Sequence, residues 1–337
     1  MRDFLKADSF PERVVHGGAG KWQQEKSHKM VLDFSASVNP YPPAFAWACD
    51  AGSLARYPDD GYHTLKAAIA HSYYRNPEEI CVGNGSIELI RVFCSVCLRP
   101  GKKYFFEPPT FGEYELSARL AGASRATTPD NADVMFVCNP NNPTGLLRDQ
   151  EEMRSLLESA TAHDGTLFCD EAFIDLADPV QSISAVRDEN LFVLQSLTKS
   201  FSVPGLRFGF GFGDPDLIEK IEIMRPPWSV NAYAEAFALQ ALRHREDLAE
   251  SRDLIQREKA WLEQEISALG LSPRLSSVNY LLVECGLDVS DLCEKLACTG
   301  ILVRDCTSFG LPTCIRVAVR TREENCVLVE ALASCLR

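Results

Sequence analysis

The feature that most constrains the fold is a regular alternation of two patterns between residues 62 and 212. Stretches with apolar residues at helical spacing, at 62–74, 87–98, 111–121 and 150–162, alternate with short apolar runs at 103–106, 134–138, 166–169, 191–195 and 208–212. Strands that alternate with helices form a largely parallel sheet with helices on both faces. We therefore predict an α/β fold with a mostly parallel sheet.

The pattern changes after Pro226-Pro227. Two long amphipathic stretches, at 231–243 and 248–269, precede strand-like runs at 279–283, 301–304 and 314–319 and helical stretches at 289–299 and 323–336. Gly270 stands where a helix C-cap is expected. The sequence therefore predicts three parts: an N-terminal arm at 1–40 that packs with a small α+β domain, a large domain at 41–230, and linker helices with the small domain at 231–337.

Charge and cysteine content argue against several classes of function. The chain has 34 Lys and Arg against 47 Asp and Glu, a net charge of −13, which opposes nucleic acid or an anionic membrane as partner. No apolar run approaches the ~20 residues of a membrane span, and the N-terminus has no apolar signal-peptide core. The 13 cysteines match no zinc-ligand spacing. We expect reduced thiols, no metal site and a cytoplasmic protein.

Polar residues follow three of the predicted strands. They lie at 139–145 after one strand, at Asp170-Glu171 after the next and at Ser196–Lys199 after a third. In parallel sheets of this kind, ligands bind beyond the carboxyl ends of the strands. These three segments are therefore expected to form one ligand site.

Lys199, in Ser196-Leu-Thr-Lys199, is the first candidate for chemistry. At the end of a buried strand, desolvation would lower the pKa of its ammonium group, and a low pKa suits an amine that forms a Schiff base. Arg207 follows eight residues later and offers a forked cation for a phosphate. Taken alone, the segment fits an ordinary surface loop equally well.

Three further sites along the chain have a chemical interpretation, and two of them have an ordinary interpretation as well. Asp170 could pair with a protonated pyridine nitrogen, or it could cap a helix. Asn142 could donate a hydrogen bond to a ring oxygen, or it could serve a turn. Gly85 and Ser86 precede a helix, whose N-terminal amides could bind a phosphate.

In this order along the chain, these segments resemble the fold-type-I pyridoxal-phosphate (PLP) enzymes, specifically the subgroup around histidinol-phosphate aminotransferase. The most specific motifs are Asn139-Pro-Asn-Asn-Pro-Thr-Gly145, Asp170-Glu-Ala-Phe173 and Ser196-Leu-Thr-Lys199 with Arg207. The resemblance covers nearly the whole chain. It implies a PLP-dependent transferase fold of type I, with PLP as cofactor.

The resemblance also implies a role for each residue. Lys199 would carry PLP as a Schiff base, Asp170 would pair with the pyridine nitrogen, and Asn142 would donate to the ring oxygen O3′. Phe111 would stack on the ring. The cofactor phosphate would be bound by Gly85, Ser86, Ser196 and Arg207, and Tyr57 would reach the phosphate of the other subunit in a homodimer. Phe173 stands where many relatives carry Tyr, which implies one hydrogen bond fewer at O3′.

Other segments are similar to those of the L-threonine-O-3-phosphate decarboxylases, which make the aminopropanol phosphate of the cobalamin side chain. These are His16-Gly-Gly18, the segment Leu32-Asp-Phe-Ser-Ala-Ser-Val-Asn-Pro40 and the tail segments 301–306 and 315–321. The similarity implies that Arg316 binds the substrate carboxylate, near Asn142, and that Arg304, His16 and the Gly17 amide bind the substrate phosphate. Alternatively, Arg304 and Arg316 form ordinary surface ion pairs, a role that suits Arg320 and Arg322 better.

Two rival functions remain at this point. One is an aminotransferase that acts on histidinol phosphate. The other is a regulator that uses a PLP fold as a ligand sensor, which the acidic charge opposes because such a protein needs a basic DNA-binding surface. Phosphothreonine and phosphoserine differ by one methyl group, worth only ~1–3 kcal/mol in a pocket, so the sequence leaves that choice open.

Overall fold

The structure is a computed structural model, which describes residues 10–18, 20 and 31–336. Its main sheet has seven strands in the order β2-β8-β7-β6-β5-β3-β4. They are β2 (Ile80–Gly83), β3 (Lys103–Phe105), β4 (Ser124–Arg125), β5 (Val134–Cys138), β6 (Thr166–Asp170), β7 (Leu191–Gln195) and β8 (Gly209–Phe212). The strand β1 (Leu32–Asp33) belongs to the arm. The prediction of a mostly parallel α/β sheet is confirmed.

One strand of the main sheet runs against the others. β8 pairs antiparallel with both β7 and β2, whereas β3, β4, β5, β6 and β7 pair in parallel. The chain reverses between β7 and β8 without a crossover helix of the kind that joins parallel strands. Lys199 and Arg207 lie in this reversal, so the turn places both at the carboxyl end of β7.

Helices cover both faces of the main sheet. Those of the large domain are α1 (His63–Tyr73), α2 (Ser86–Cys97), α3 (Glu113–Leu120), α4 (Gln150–Thr161), α5 (Leu197–Ser200), α6 (Pro215–Met224) and α7 (Ala232–Ala241). Side chains of α1, α4 and α7 form one apolar core against the sheet, and side chains of α2, α3 and α6 form a second core on the opposite face. Successive strand residues contribute to alternate cores, as expected for strands that are buried on both faces.

The C-terminal part forms a smaller sheet of four antiparallel strands in the order β12-β13-β10-β9. The strands are β9 (Ser272–Pro273), β10 (Tyr280–Glu284), β12 (Arg304–Asp305) and β13 (Cys314–Ala318), and β11 (Ile301–Leu302) lies between β10 and β12 in the chain. Three helices accompany them: α8 (Leu248–Ala268), α9 (Ser290–Cys298) and α10 (Arg322–Cys335). The arm contributes Phe34 to the core of this part, beside Leu262 and Leu281.

The strand that the sequence predicts at 301–304 is divided between two sheets. Ile301 and Leu302 pair in parallel with β1 of the arm, whereas Arg304 and Asp305 pair antiparallel with β13. The prediction of one continuous strand is therefore wrong, because the backbone changes partners at Val303. The change brings Arg304 directly opposite Arg316 in the register of β12 and β13.

Within the described residues, no helix is long and apolar enough to cross a membrane. The 13 cysteines are all free thiols. In the same part of the chain, no three His, Cys, Asp or Glu side chains are grouped as metal ligands would be.

Candidate active site

A cavity of about 460 Å³ lies at the carboxyl ends of β5, β6 and β7, between the arm, the main sheet and the smaller sheet. Its wall includes twelve of the thirteen site residues that the sequence predicts: His16, Gly17, Gly85, Ser86, Phe111, Asn142, Asp170, Ser196, Lys199, Arg207, Arg304 and Arg316. The fold thus brings together segments that are separated by up to 300 residues in the chain.

Tyr57 is the predicted site residue that does not line this cavity. Its side chain is 79% exposed, and its ring packs on Trp228 with the ring centres 4.4 Å apart. A role in the site of the same chain is therefore not supported. A role in the site of a second subunit stays a prediction.

Lys199 lies in the single turn of α5, directly after β7. Burial, together with the nearby cations Arg316 and Arg207, lowers the pKa of its ammonium group to about 8. Its Nζ lies 5.9 Å from the centre of the Phe173 ring. Because of the lowered pKa, a sizeable fraction of this amine is neutral near neutral pH, as a nucleophilic amine requires.

Asn39, at the end of the arm, fixes the turn that carries Lys199. Its backbone N–H donates to the Lys199 carbonyl at 3.0 Å, and its Nδ2 donates to the Ser200 carbonyl at 2.7 Å. The last carbonyls of a helix have no partner within the helix, so these two bonds satisfy them. Asn39 thus gives a structural reason for the Val38-Asn39-Pro40 motif.

Asp170 is the last residue of β6 and is only 4% exposed. Its Oδ2 accepts a hydrogen bond from the Tyr114 hydroxyl at 2.7 Å, and its Oδ1 accepts one from the Ala172 N–H at 2.9 Å. Burial raises the pKa of this carboxyl group, while the two hydrogen bonds act in the opposite direction. The carboxylate is thus prepared for a cationic partner inside the cavity.

The opposite end of the cavity suits a phosphate. Gly85 caps α2 with φ at +83°, and a Cβ at this position would lie 2.5 Å from the Nη2 of Arg207. A Cβ at Gly209 would lie 2.6 Å from the Ser86 nitrogen, so the backbone passes equally close there. The amides at the start of α2 and the Arg207 guanidinium therefore lie around one phosphate-sized space, called the cradle below. A side chain at Gly85 or Gly209 would clash with the atoms that form it.

Arg304 and Arg316 face the cavity from directly opposed positions on β12 and β13. Each is only 6% exposed, and no described carboxylate lies within 4.0 Å of either guanidinium. Burial lowers the pKa of both groups. These are not the surface ion pairs of the alternative interpretation. By contrast, Arg320 pairs with Glu324 and Arg322 pairs with Glu258.

Neutral oxygens hold the two arginines in place. Arg316 donates to the Oδ1 of Asn142 and, at 3.0 Å, to the carbonyl of Ser35. Arg304 donates through Nη2 to the Val15 carbonyl at 2.8 Å and to the Ser308 Oγ at 2.5 Å. Two like charges in directly opposed positions destabilise a sheet, so an anionic ligand between or beside the two groups would stabilise this pair.

The His16-Gly-Gly18 segment is fixed to the cavity wall by three contacts. The His16 Nε2 lies 2.9 Å from the Glu113 Oε1, and the Gly18 N–H donates to the Ser35 Oγ at 2.9 Å. A Cβ at Gly17 would lie 2.3 Å from the Ser35 carbonyl oxygen, so this close approach requires glycine. The arm therefore forms part of the site.

Sequence reasoning missed three residues that hold the site residues in place: Tyr114, Glu113 and Ser308. Tyr114 and Glu113 open α3, where the sequence predicts only an amphipathic helix. Glu113 also accepts a hydrogen bond from Arg91 at 2.7 Å. The sequence signal for these residues is an acidic residue next to an aromatic residue at the start of a predicted helix, and this signal is weak.

Comparisons with known proteins agree with this geometry. A family model described as aminotransferase class I and II matches residues 24–332. Over 88% of each chain, the sequence is 35% identical to a protein of Caldanaerobacter subterraneus subsp. tengcongensis that is provisionally named a threonine-phosphate decarboxylase. It is also 28% identical to a histidinol-phosphate aminotransferase of Geobacillus thermodenitrificans, over 94% of this chain and 93% of the other.

A solved structure shares the fold. It is the histidinol-phosphate aminotransferase of Sinorhizobium meliloti in complex with pyridoxal-5′-phosphate. The two structures superpose with a TM-score of 0.82 over 96% of this chain and 95% of the other, at 20% sequence identity. At this identity, the likeness concerns the fold alone.

Proposed function

Since the chain belongs to the PLP-dependent class I and II aminotransferase family, we propose that it decarboxylates L-threonine O-3-phosphate. The products are CO₂ and (R)-1-amino-2-propanol O-phosphate, the building block of the cobalamin side chain. The observation that carries the proposal is the pair of buried arginines, Arg304 and Arg316, which have no described carboxylate partner and face one cavity. They suit a substrate with two anionic groups.

The residues of the cavity fit PLP. Asp170 offers a buried carboxylate to the ring nitrogen, Lys199 offers an amine of lowered pKa to the aldehyde, and the cradle of Gly85, Ser86 and Arg207 fits the phosphate. Ser196 lies beside that cradle, and Phe111 and Asn142 line the cavity between its two ends. When bound, PLP supplies an electron sink for the charge left at Cα when a bond to that carbon breaks.

The arginines then orient the substrate. In phosphothreonine, the carboxylate and the phosphate are attached through adjacent carbons, so two guanidinium groups on neighbouring strands can bind both. Arg316, beside Asn142, binds the carboxylate. Arg304 binds the phosphate together with His16 and the Gly17 amide. Bidentate contacts from arginine fix orientation as well as charge, and orientation decides which bond at Cα breaks.

Lys199 also completes the reaction. After CO₂ leaves, Cα must receive a proton, and the Lys199 ammonium group lines this cavity with a pKa lowered to about 8. A general acid works best when its pKa is close to the operating pH. Lys199 is therefore the residue that donates this proton.

The second candidate is an aminotransferase that acts on histidinol phosphate. The relative from Geobacillus thermodenitrificans favours it, because the similarity extends over 94% of this chain. Histidinol phosphate carries one anionic group, so this substrate would engage only one of the two arginines, and the 2-oxo acid that accepts the amino group would have to engage the other. Phosphothreonine engages both arginines in a single molecule, and this supports the decarboxylase.

One incubation separates the two candidates. The protein is mixed with PLP and O-phospho-L-threonine, and CO₂ and pyridoxamine phosphate are measured together. We expect CO₂ without pyridoxamine phosphate. Pyridoxamine phosphate without CO₂ would instead identify an aminotransferase. The variant Arg304→Gln is expected to raise KM by at least about tenfold, since a charged hydrogen bond is lost, whereas the matched control Arg320→Gln, whose partner is Glu324, leaves KM unchanged.

We further propose that the protein is a homodimer in which Tyr57 reaches the cofactor phosphate of the other subunit. Two observations support this assembly. Tyr57 and Trp228 form a tilted, solvent-exposed ring pair outside their own cavity. Large exposed aromatic groups of this kind are enriched at protein interfaces.

A further inference from the structure

The hydrogen bond between Tyr114 and Asp170 has no role in the function proposed so far. The Tyr114 hydroxyl lies 2.7 Å from the Asp170 Oδ2, and its side chain is fully buried. The other described partner of this carboxylate is the N–H of Ala172. Among the described residues, Tyr114 is therefore the one side chain that donates a hydrogen bond to the Asp170 carboxylate.

The surroundings of Asp170 provide no compensating charge. No described Lys, Arg or His nitrogen lies within 4.0 Å of the carboxylate. Besides Tyr114, the neutral titratable groups around it include Cys138, Cys169 and Tyr280, and burial raises the pKa of all three. They are consequently neutral at physiological pH. Glu171 is adjacent in the chain, and Lys199 and Arg316 line the same cavity. A buried carboxylate with so few donors is easily protonated, and a protonated Asp170 could not hold a proton on the ring nitrogen of PLP.

We propose that Tyr114 is a positioning residue that keeps Asp170 ionised and aimed at the ring nitrogen of PLP. The inference rests on the PLP dependence of the proposed function and not on the choice of substrate. It therefore applies whether the enzyme decarboxylates or transaminates.

The packing of Tyr114 is suited to this role. Its ring stacks on the Phe136 ring, with the ring centres 5.3 Å apart and an interplanar angle of 6°. It also packs edge-to-face with the Phe111 ring, whose centre lies 5.5 Å away. These contacts fix the hydroxyl in place before the cofactor binds. Burial also raises the pKa of Tyr114 well above its usual value, so the group remains a donor. Preorganised donors of this kind cost no reorganisation when the ligand arrives.

The test uses Tyr114→Phe, which keeps the ring contacts and removes only the hydroxyl. The PLP affinity of the full-length protein is measured without substrate, and the ¹⁵N chemical shift of ring-labelled PLP reports protonation of the ring nitrogen. We expect a dissociation constant about tenfold higher, as for the loss of one hydrogen bond to a charged group. The ¹⁵N signal is expected to move toward the unprotonated position.

The control is Tyr104→Phe. Tyr104 is a buried tyrosine of the same apolar core, stacked on Phe106, and its hydroxyl lies 3.5 Å from Glu115 rather than near Asp170. We expect wild-type affinity and a wild-type ¹⁵N shift from this variant. Equal values for Tyr114→Phe and the wild type would overturn the inference.

A second background separates a direct from an indirect effect. In Asp170→Asn, the ring nitrogen has lost its carboxylate, so adding Tyr114→Phe is expected to change PLP affinity less than twofold. Such non-additivity is the signature of two residues that act through one contact. A further tenfold loss in the double variant would show that Tyr114 acts elsewhere. If the wild type itself fails to bind PLP at Lys199, the proposed function fails instead.

Discussion

At the scale of single residues, the site depends on charged groups that have no oppositely charged partner nearby in the described structure. Lys199, Arg304, Arg316 and Asp170 all line one cavity, and none of them has an oppositely charged side chain within 4.0 Å in the described structure. Each of these groups destabilises the empty protein, because a buried charge without a partner is costly. In the proposed function, the cofactor and the substrate would supply the missing charges.

Lys199 gives a prediction for stability against pH. Its pKa is about 8 in the folded protein and 10.5 in a model peptide. Between these values the unfolded chain binds a proton that the folded chain does not, so the free energy of unfolding rises with pH in this window. Removing the amine therefore stabilises the PLP-free protein below pH 8, by up to about 3 kcal/mol, and the gain disappears above about pH 10.5.

The measurement is urea unfolding of PLP-free Lys199→Met and wild type at pH 7 and at pH 10. We expect the variant to be the more stable at pH 7, with a smaller difference at pH 10. The control is Lys259→Met, because Lys259 is a buried lysine that donates to the Ser276 carbonyl. Loss of that bond is expected to destabilise the control variant. A pH-independent difference for Lys199→Met would contradict the prediction.

At the scale of elements, most of the central strands could be predicted from the sequence, but few of the pairings between strands could. The bounds of β5 and β7 agree with the apolar runs at 134–138 and 191–195. The strands β2 and β4 and the helix α6 were not anticipated. A two-residue strand such as β4 carries too little periodicity to be distinguished from a loop. The division of the 301–304 run was also missed, since the register of a strand is set by tertiary partners.

The same limit applies to the site. The cofactor could be predicted, and its candidate anchoring residues except Tyr57 could be placed on one cavity, because they belong to short motifs whose order along the chain is specific. The opposition of Arg304 and Arg316 could not, because it follows from the register of β12 and β13. Contacts such as Tyr114 with Asp170 join residues 56 positions apart and leave no local pattern.

The first turn of α3 gives a prediction for the arm. Glu113 accepts from Arg91 and lies 2.9 Å from the His16 Nε2, so it holds His16 at the substrate end of the cavity. In Glu113→Gln the charge that holds His16 is lost. We expect KM for O-phospho-L-threonine to rise about tenfold, as for a lost charged hydrogen bond, with a smaller change in kcat and an unchanged affinity for PLP.

Steady-state kinetics and a PLP titration check this expectation. The matched control is Glu115→Gln, two residues further along the same helix, whose side-chain hydrogen bond in the described structure is a long one, at 3.5 Å, to the Tyr104 hydroxyl. It is expected to behave as the wild type. A loss of PLP affinity in Glu113→Gln, or an equal rise of KM in both variants, would show that the helix and not the arm is affected.

At the scale of the whole molecule, three parts of the chain complete one cavity. The arm contributes His16 and fixes the Lys199 turn through Asn39, the main sheet contributes Asp170, and the smaller sheet contributes Arg304 and Arg316. A movement of the smaller sheet would therefore change the end of the cavity that Arg304 and Arg316 line while leaving Lys199 and Asp170 in place, whereas a movement of the arm would also disturb the Lys199 turn. Substrate affinity and cofactor affinity are consequently expected to respond to different variants.

The proposed homodimer leads to a test with mixed subunits. If Tyr57 serves the site of the other subunit, a dimer of Lys199→Ala with Tyr57→Ala contains one site in which Lys199 and Tyr57 are both intact. Neither variant alone has such a site. Random exchange of equal amounts makes half of the dimers hybrid, so we expect roughly one quarter of wild-type activity to return.

The two purified variants are partially denatured, mixed and refolded together. Activity is then measured as a function of refolding time. The control is a mixture of Lys199→Ala with Asp170→Asn, two residues that line the same cavity of one chain. No hybrid of these variants contains an intact site, so no activity is expected to return. If the Tyr57 mixture also stays inactive, although sedimentation shows that hybrid dimers form, Tyr57 does not act across the interface. The exposed pair of Tyr57 and Trp228 would then need another explanation.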